Sequence, residues 1–151
     1  MSADEPAGVR LERVEAEVTL PLRQRVLRPH QAVHDVVFPG DDEPDSAHVV
    51  AVLADGTVVG TVSVMREEAP WGAAGWRLRG MATDEAMRGL GIGSRLLAAA
   101  VDHVRGHGGG LLWCNARVRA VPFYERGGLR TRGEPWEEPR IGPHVVMWRD
   151  V

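Results

Sequence analysis

The sequence contains no lysine, and all 18 of its basic side chains are arginine. Asparagine is reduced to Asn115 and isoleucine to Ile92 and Ile141, a pattern that fits codon bias. The missing lysine still excludes something: a Walker-type phosphate loop ends in Gly-Lys-Ser/Thr, and that ending cannot be built here. A single cysteine, Cys114, rules out an intrachain disulfide, and its neighbours Leu111, Leu112 and Trp113 assign the thiol to packing. A reducing cytoplasm is the expected compartment. Long apolar runs are also missing. The longest, residues 49–54 and 96–101, fall far short of a membrane span, and residues 1–6 carry Asp4 and Glu5 without an apolar leader core. Nor is positive charge in excess: 21 acidic against 18 basic side chains give a formal charge of −3, which argues against a sequence-independent grip on nucleic acid or an anionic membrane. Small molecules or proteins are the expected partners.

What is present reads as one α/β domain. At 151 residues, with 44% hydrophobic and 26% charged side chains, the chain can bury a core without staples. Residues 1–7 are expected to fray, and residues 8–151 to form the domain. Val9, Leu11 and Val14 suggest a first strand; Val18, Leu22 and Val26 then recur at helical spacing, with Pro21 near the helix start and a stop at Arg28 before Pro29. Turn formers fill residues 38–45. Residues 48–54 and 57–65 are two β-rich runs joined by Asp55-Gly56, a hairpin pattern. After an irregular stretch, residues 76–83 alternate as a strand, with Trp76 and Leu78 on one face and Arg77, Arg79 and Met81 on the other. Leu96, Leu97, Ala100, Val101 and Val104 trace one face of a helix from Ile92 to Gly106. Residues 111–116 are apolar throughout and point to the centre of a sheet. A short helix over 122–126 and strands near 129–132 and 144–148 complete a mixed sheet with helices packed on it.

The segment Arg88-Gly89-Leu90-Gly91-Ile92-Gly93-Ser94 joins a strand to a helix. The first amides of a helix lack intrahelical acceptors and lie at the positive end of its dipole, so they suit a phosphate oxygen. Glycine lets the backbone come close, and Arg88 is the one basic group within the turn. A tight turn that binds nothing would have the same composition. A dinucleotide fold would place such a turn after the first strand and close the next strand with an acid; here it follows the fourth, and the next ends in Cys114-Asn115.

In this context Arg88-Gly89-Leu90-Gly91-Ile92-Gly93 resembles the Arg/Gln-x-x-Gly-x-Gly/Ala signature of the GNAT superfamily of acyl-coenzyme A-dependent N-acyltransferases. The preceding Leu78-Arg79-Gly80-Met81-Ala82-Thr83 and the downstream Asn115-Ala116-Arg117, Ala120, Phe123-Tyr124 and Gly127-Gly128-Leu129 agree in order and spacing. The resemblance runs from about Trp76 to Leu129 and implies a GNAT-like fold of about seven strands. It also implies an N-acetyltransferase that uses acetyl-CoA as acyl donor, needs no metal, and belongs to a fold that often forms homodimers.

The resemblance further assigns roles. Residues Arg88, Gly89, Leu90, Gly91, Ile92, Gly93 and Ser94 would cradle the coenzyme A pyrophosphate. Met81, Ala82 and Thr83 would pair with the pantetheine amides, Asn115 and Phe123 would flank the arm, and strand amides near Met81 would receive the oxyanion. Asn115 would equally serve as a helix cap. Tyr124, the only tyrosine, matches the family's general acid; a core aromatic beside Phe123 is the plainer role. The general base is open, because many relatives place a glutamate where this chain has Arg77 and Arg79. His144, Glu137 or Glu138 in a loop, and a water relay remain, and imidazole is the side chain that ordinarily titrates nearest neutrality. Arg77 and Arg79 are expected to pair with acids on neighbouring strands, or Arg79 to hold an acceptor carboxylate. Trp71, Trp136 and His34 fall in expected loops that would line an acceptor pocket. His103 and His107 stand four apart without a third ligand, so no metal is expected. Two rival readings remain: a coenzyme A-binding or sensing module without a working base, and an interaction protein on the same fold.

Overall fold

Residues 8–151 are described by a computed structural model, so the expected frayed start at 1–7 lies outside the described residues. Strand β1 (Val9–Val14) pairs antiparallel with β2 (Ala47–Leu53), and β2 with β3 (Val58–Arg66), through the Asp55-Gly56 turn that the sequence marks. Gly56 supplies the positive φ and its amide bonds back to the carbonyl of Leu53. Strand β3 pairs antiparallel with β4 (Trp76–Thr83). Beyond β4 come helix α2 (Ile92–Gly106) and strand β5 (Leu111–Arg117), then helix α3 (Val121–Arg126) and the strands β6 (Arg130–Glu138) and β7 (Gly142–Asp150). The seven strands lie in the order β1-β2-β3-β4-β5-β7-β6, and β4–β5 is the one parallel pair.

Helix α2 buries the stripe expected of it, with Leu96 and Val104 wholly enclosed against β2, β3 and β4. Strand β5 sits between β4 and β7, as its unbroken apolar run requires, and Cys114 is buried within it. The segment expected as a first helix is a run of three turn types: a 3₁₀ turn (Ala16–Thr19), helix α1 (Leu20–Leu22) and a π turn (Arg23–Leu27) closed by the Arg28 amide on the carbonyls of Arg23 and Gln24.

The sequence reading ends the sixth strand too early. Gly133 and Pro135 read as breakers, yet β6 continues to Glu138 and carries Trp136, Glu137 and Glu138 in a strand rather than a loop. An edge strand pairs on one side only, so a proline without an N–H is tolerated there, and the register irregularity between Arg132 and Trp136 absorbs Gly133 with its φ of 78°.

Candidate active site

Although β4 and β5 are eight and seven residues long, they pair at only two positions, Trp76 with Leu112 and Arg77 with Trp113. From Leu78 and Cys114 onward the strands diverge. The divergence starts where β4 is irregular: Arg79 and Ala82 have partners on β3, whereas Gly80 and Met81 have none, and Gly80 takes a φ of 64°. A Cβ on Gly80 would stand 3.1 Å from Nε of Arg23 and 3.3 Å from the Phe38 ring, so neither the backbone angle nor the space admits another residue. Two strands that splay in this way expose backbone amides and carbonyls on facing edges, a slot that an amide-bearing chain can enter.

On one side of the splay lies a cavity of about 610 Å³. It is lined by Met81, Ala82 and Thr83 of β4, by Arg88, Gly89, Gly91, Ile92, Gly93 and Ser94 of the turn, and by Phe123. These residues were grouped by sequence and are brought together in space. Two are exceptions: the Leu90 side chain is exposed to solvent, and Asn115 lines the neighbouring cavity instead. Gly91 precedes α2 in the left-handed conformation, at φ 79°, and no side chain caps the helix, which leaves its first amides for an acceptor from outside. Arg88 is not the only base here, since Arg117, Arg119 and Arg126 reach the same cavity. Nothing in the sequence spacing marked those three; they arrive through β5, the turn after it and α3.

On the other side is a cavity of about 280 Å³ that shares Leu27, Met81, Arg117, Ala120 and Phe123 with the first, so the two form one cleft. Tyr124 lines the smaller cavity, next to the shared Phe123. Pro122 starts α3, and Gly127 and Gly128 end it with the Leu129 amide bonded to the Tyr124 carbonyl at 3.0 Å, which fixes the residue. Burial holds the Tyr124 phenol well above its usual value, the adjacent Cys114 adds to this, and Arg117 pulls the other way. Burial likewise pushes the Cys114 thiol up to about 12, with Arg77 opposing.

His144 stands on β7 opposite both Arg117 of β5 and Trp136 of β6, buried at 6% exposure. Its Nδ1 lies 2.9 Å from the Gly142 carbonyl, which can only accept, so Nδ1 carries the proton and Nε2 is left as an acceptor with no partner among the described residues. Asn115 carries a buried Oδ1 that also lacks a partner. An unpaired amide oxygen facing a splayed pair of strands calls for an N–H donor from a bound molecule, and a pantetheine arm has two such amides. That oxygen, the uncapped helix and four arginines around the larger cavity together fit coenzyme A.

The remaining sequence candidates separate. Trp136 and Glu138 line the smaller cavity and Glu137 does not, being exposed on the other face of β6. Trp71 lies under Arg132, whose guanidinium is 4.1 Å from its ring, and His34 is exposed beside Asp35; neither lines the cavity. His103 bonds to the Asp45 carbonyl at 2.7 Å and His107 to the His103 carbonyl at 2.9 Å. Arg77 has the ion pair expected of it, with Glu67 at 2.9 Å.

A buried network went unread in the sequence. Arg23, at 0% exposure, grips Asp41 with both terminal nitrogens at 2.7 and 2.9 Å and donates to Ser63 Oγ at 2.7 Å. Ser63 Oγ lies 2.7 Å from His48 Nδ1, and His48 Nε2 lies 2.8 Å from the Asp41 carbonyl. Because a carbonyl only accepts, Nε2 donates to it, Nδ1 accepts from the serine hydroxyl, and the serine oxygen accepts from Arg23. Asp41 also accepts from the Phe38 amide at 2.9 Å, which holds the Phe38 ring against the cleft.

Comparison with known proteins agrees with this geometry. The acetyltransferase (GNAT) family matches residues 12–128. An uncharacterised N-acetyltransferase of Bacillus subtilis (strain 168), YitI, is 35% identical over 140 residues, which cover 91% of this chain and 93% of that protein. Among solved structures, ElaA of Escherichia coli superposes with a TM-score of 0.76 at 18% identity, over 93% of this chain and 99% of that one. An aminoglycoside 6′-N-acetyltransferase complexed with coenzyme A does so with a TM-score of 0.70 at 16% identity, over 93% and 96%. With a family match over most of its length and a relative aligned nearly end to end, the chain belongs to the GNAT family of N-acetyltransferases.

Proposed function

We propose that the protein moves an acetyl group from acetyl-CoA directly to a primary amine of a small molecule or peptide, across the cleft between β4 and β5. The observation that carries this reading is the unpaired Oδ1 of Asn115, buried where the two strands part, in the wall of the smaller cavity. Acetyl-CoA supplies an acyl group activated as a thioester. The chain's part is to hold the donor, admit the amine and manage two protons.

The amides at the start of α2, with Arg88, take the pyrophosphate, and the β4 edge at Met81, Ala82 and Thr83 receives the pantetheine arm with Phe123, while Asn115, in the adjoining smaller cavity, takes its far end. The amide of Met81, freed from the β3 ladder by the irregularity at Gly80, faces the charge that develops on the acyl oxygen; a fixed dipole there costs no reorganisation. His144 Nε2, the acceptor nitrogen of the neutral ring when Nδ1 donates to the Gly142 carbonyl, takes the proton of the attacking amine.

Tyr124 holds the proton needed by the leaving sulfur. A phenol above its usual value is a poor acid in water, but the comparison that matters is local. A thiolate expelled into the same enclosed cleft loses hydration as the phenol does, which makes it a stronger base than one in water and keeps the transfer feasible. Calorimetry with acetyl-CoA and a thiol-release assay over a panel of primary amines test the reading together. Saturable binding with amine-dependent thiol release is expected; binding without turnover on any amine would favour a sensing module, and no binding would remove the reading altogether.

A further inference from the structure

Four arginines, Arg28, Arg77, Arg79 and Arg117, line the acceptor side of the cleft and a fifth, Arg23, lies buried behind it; two of the five bring their own carboxylate. Arg23 has Asp41 and Arg77 has Glu67. Arg79, between them, makes no hydrogen bond and no ion pair among the described residues. Its guanidinium lies 4.0 Å from the centre of the Phe38 ring, half-buried, in the wall of the smaller cavity. Arg28 and Arg117 line the same cavity, each spending one nitrogen on the Leu27 carbonyl, and Glu138 is the one carboxylate there. Burial, with the charges of Arg77, Arg23 and Arg28, lowers the Arg79 guanidinium to about 10, and Glu67, which is ion-paired to Arg77, opposes this only in part; Arg79 stays charged at neutral pH without a carboxylate bonded to it.

We propose that the acceptor is an amine that also carries a carboxylate, an amino acid or the like, and that Arg79, laid on Phe38, binds this carboxylate with its free edge while Arg28 adds charge from across the cavity. The proposal rests on the acyl-transfer reading and names its substrate class. A flat guanidinium fixed by an aromatic face presents two parallel N–H donors, a geometry that a carboxylate matches in the plane of the fork. The bound anion would supply Arg79 with what Asp41 and Glu67 supply to its neighbours. Phe38 is in turn held by its amide bond to Asp41, so the buried network behind the cavity sets the stack.

The test uses paired probes that differ only in the anion. N-Acetylated amino acids and their carboxamides, representing the product side, are titrated by calorimetry into protein saturated with coenzyme A. Amino acids, their amides and aminoalkylphosphonates are run as acceptors in the thiol-release assay. The acid member is expected to bind about ten- to a hundredfold tighter than its amide, the range of a charge-assisted bond, and in turnover the difference should fall on KM. In Arg79→Met, whose stem still covers Phe38, the preference should collapse towards unity with amide binding unchanged; Arg79→Lys should keep part of it. Equal binding of acid and amide, absence of any acid binding, or a phosphonate preferred over every carboxylate would overturn the proposal. Failure of coenzyme A itself to bind would instead refute the acyl-transfer reading, so the two are told apart.

Discussion

Replacing Asp41 with asparagine should unsettle the molecule out of proportion to the two atoms changed. The side chain is buried, and its two oxygens receive three donors: both terminal nitrogens of Arg23 and the Phe38 amide. In Asp41→Asn one oxygen remains, the new NH₂ faces a donor wherever it turns, and the Arg23 charge stays enclosed at 0% exposure with Nε already unpaired. Breaking a buried ion pair from one side costs about 3–5 kcal/mol, against a total stability of about 5–15 kcal/mol for a domain. For a chain of this size that is roughly 6–20 °C in Tm. Urea unfolding followed by tryptophan fluorescence should show a lower midpoint at unchanged slope. Because Arg23→Met removes the stranded charge, the double variant Arg23→Met/Asp41→Asn should be more stable than the sum of the singles predicts, by about 1 kcal/mol or more. A single variant within 1 kcal/mol of the parent, or strict additivity, would refute the reasoning.

The same pair sets a pH dependence. Burial works to raise the Asp41 carboxyl, but the Arg23 bonds, the Phe38 amide and the charges of Arg23 and His48 outweigh it, and it lies below its ordinary range. A carboxyl lowered on folding contributes stability at every pH above its unfolded value, and that contribution is lost as pH falls through the folded one. The stabilities of the parent and Asp41→Asn should therefore differ fully at pH 6 and converge only as acid titration passes below the ordinary carboxylate range.

Tyr124→Phe should keep coenzyme A binding and lower kcat by about a hundredfold or more; unchanged turnover across pH would remove the acid assignment. Cys114, buried and pushed up to about 12, should resist iodoacetamide at pH 8 in the folded protein and react once urea unfolds it; rapid native labelling would contradict that placement. A Cβ at Gly93 would meet the Phe123 ring at 3.1 Å, so Gly93→Val should weaken coenzyme A by tenfold or more in calorimetry while the Tm changes little. With no lysine to acylate, mass spectra after incubation with acetyl-CoA should lack side-chain amide adducts; finding one would point to chemistry outside the proposed scheme.

The elements that sequence reading placed correctly are those whose information is local. The α2 stripe, the Asp55-Gly56 hairpin and the apolar β5 each carry their period or turn chemistry within a few residues, and the glycine turn at the start of α2 does so with its flanks. Strand β6 was cut short because Gly133 and Pro135 are breakers everywhere except at a sheet edge, and edge position is a property of the strand order. Arg119 and Arg126 were missed for a related reason: a charged residue on an ordinary polar face looks the same whether it faces water or a cavity.

The buried network and the unpaired arginine make the sharper case. Arg23, Asp41, His48 and Ser63 come from four segments far apart in sequence; only the packing of the π turn on β4, with Arg23 reaching Asp41 and Ser63, encloses them together. Arg77 and Arg79 share one strand and one face, yet Glu67 pairs with the first, and the second has no hydrogen bond or ion pair among the described residues. Burial makes that difference chemical. A solvated arginine without a partner is unremarkable, whereas one held on Phe38 in a half-enclosed wall has lost hydration that the ring and Glu67 return only in part, and in the proposed scheme the acceptor's carboxylate supplies the rest. The proposed substrate class therefore rests on an incompletely matched charge, which only the fold distinguishes from its neighbour two residues away.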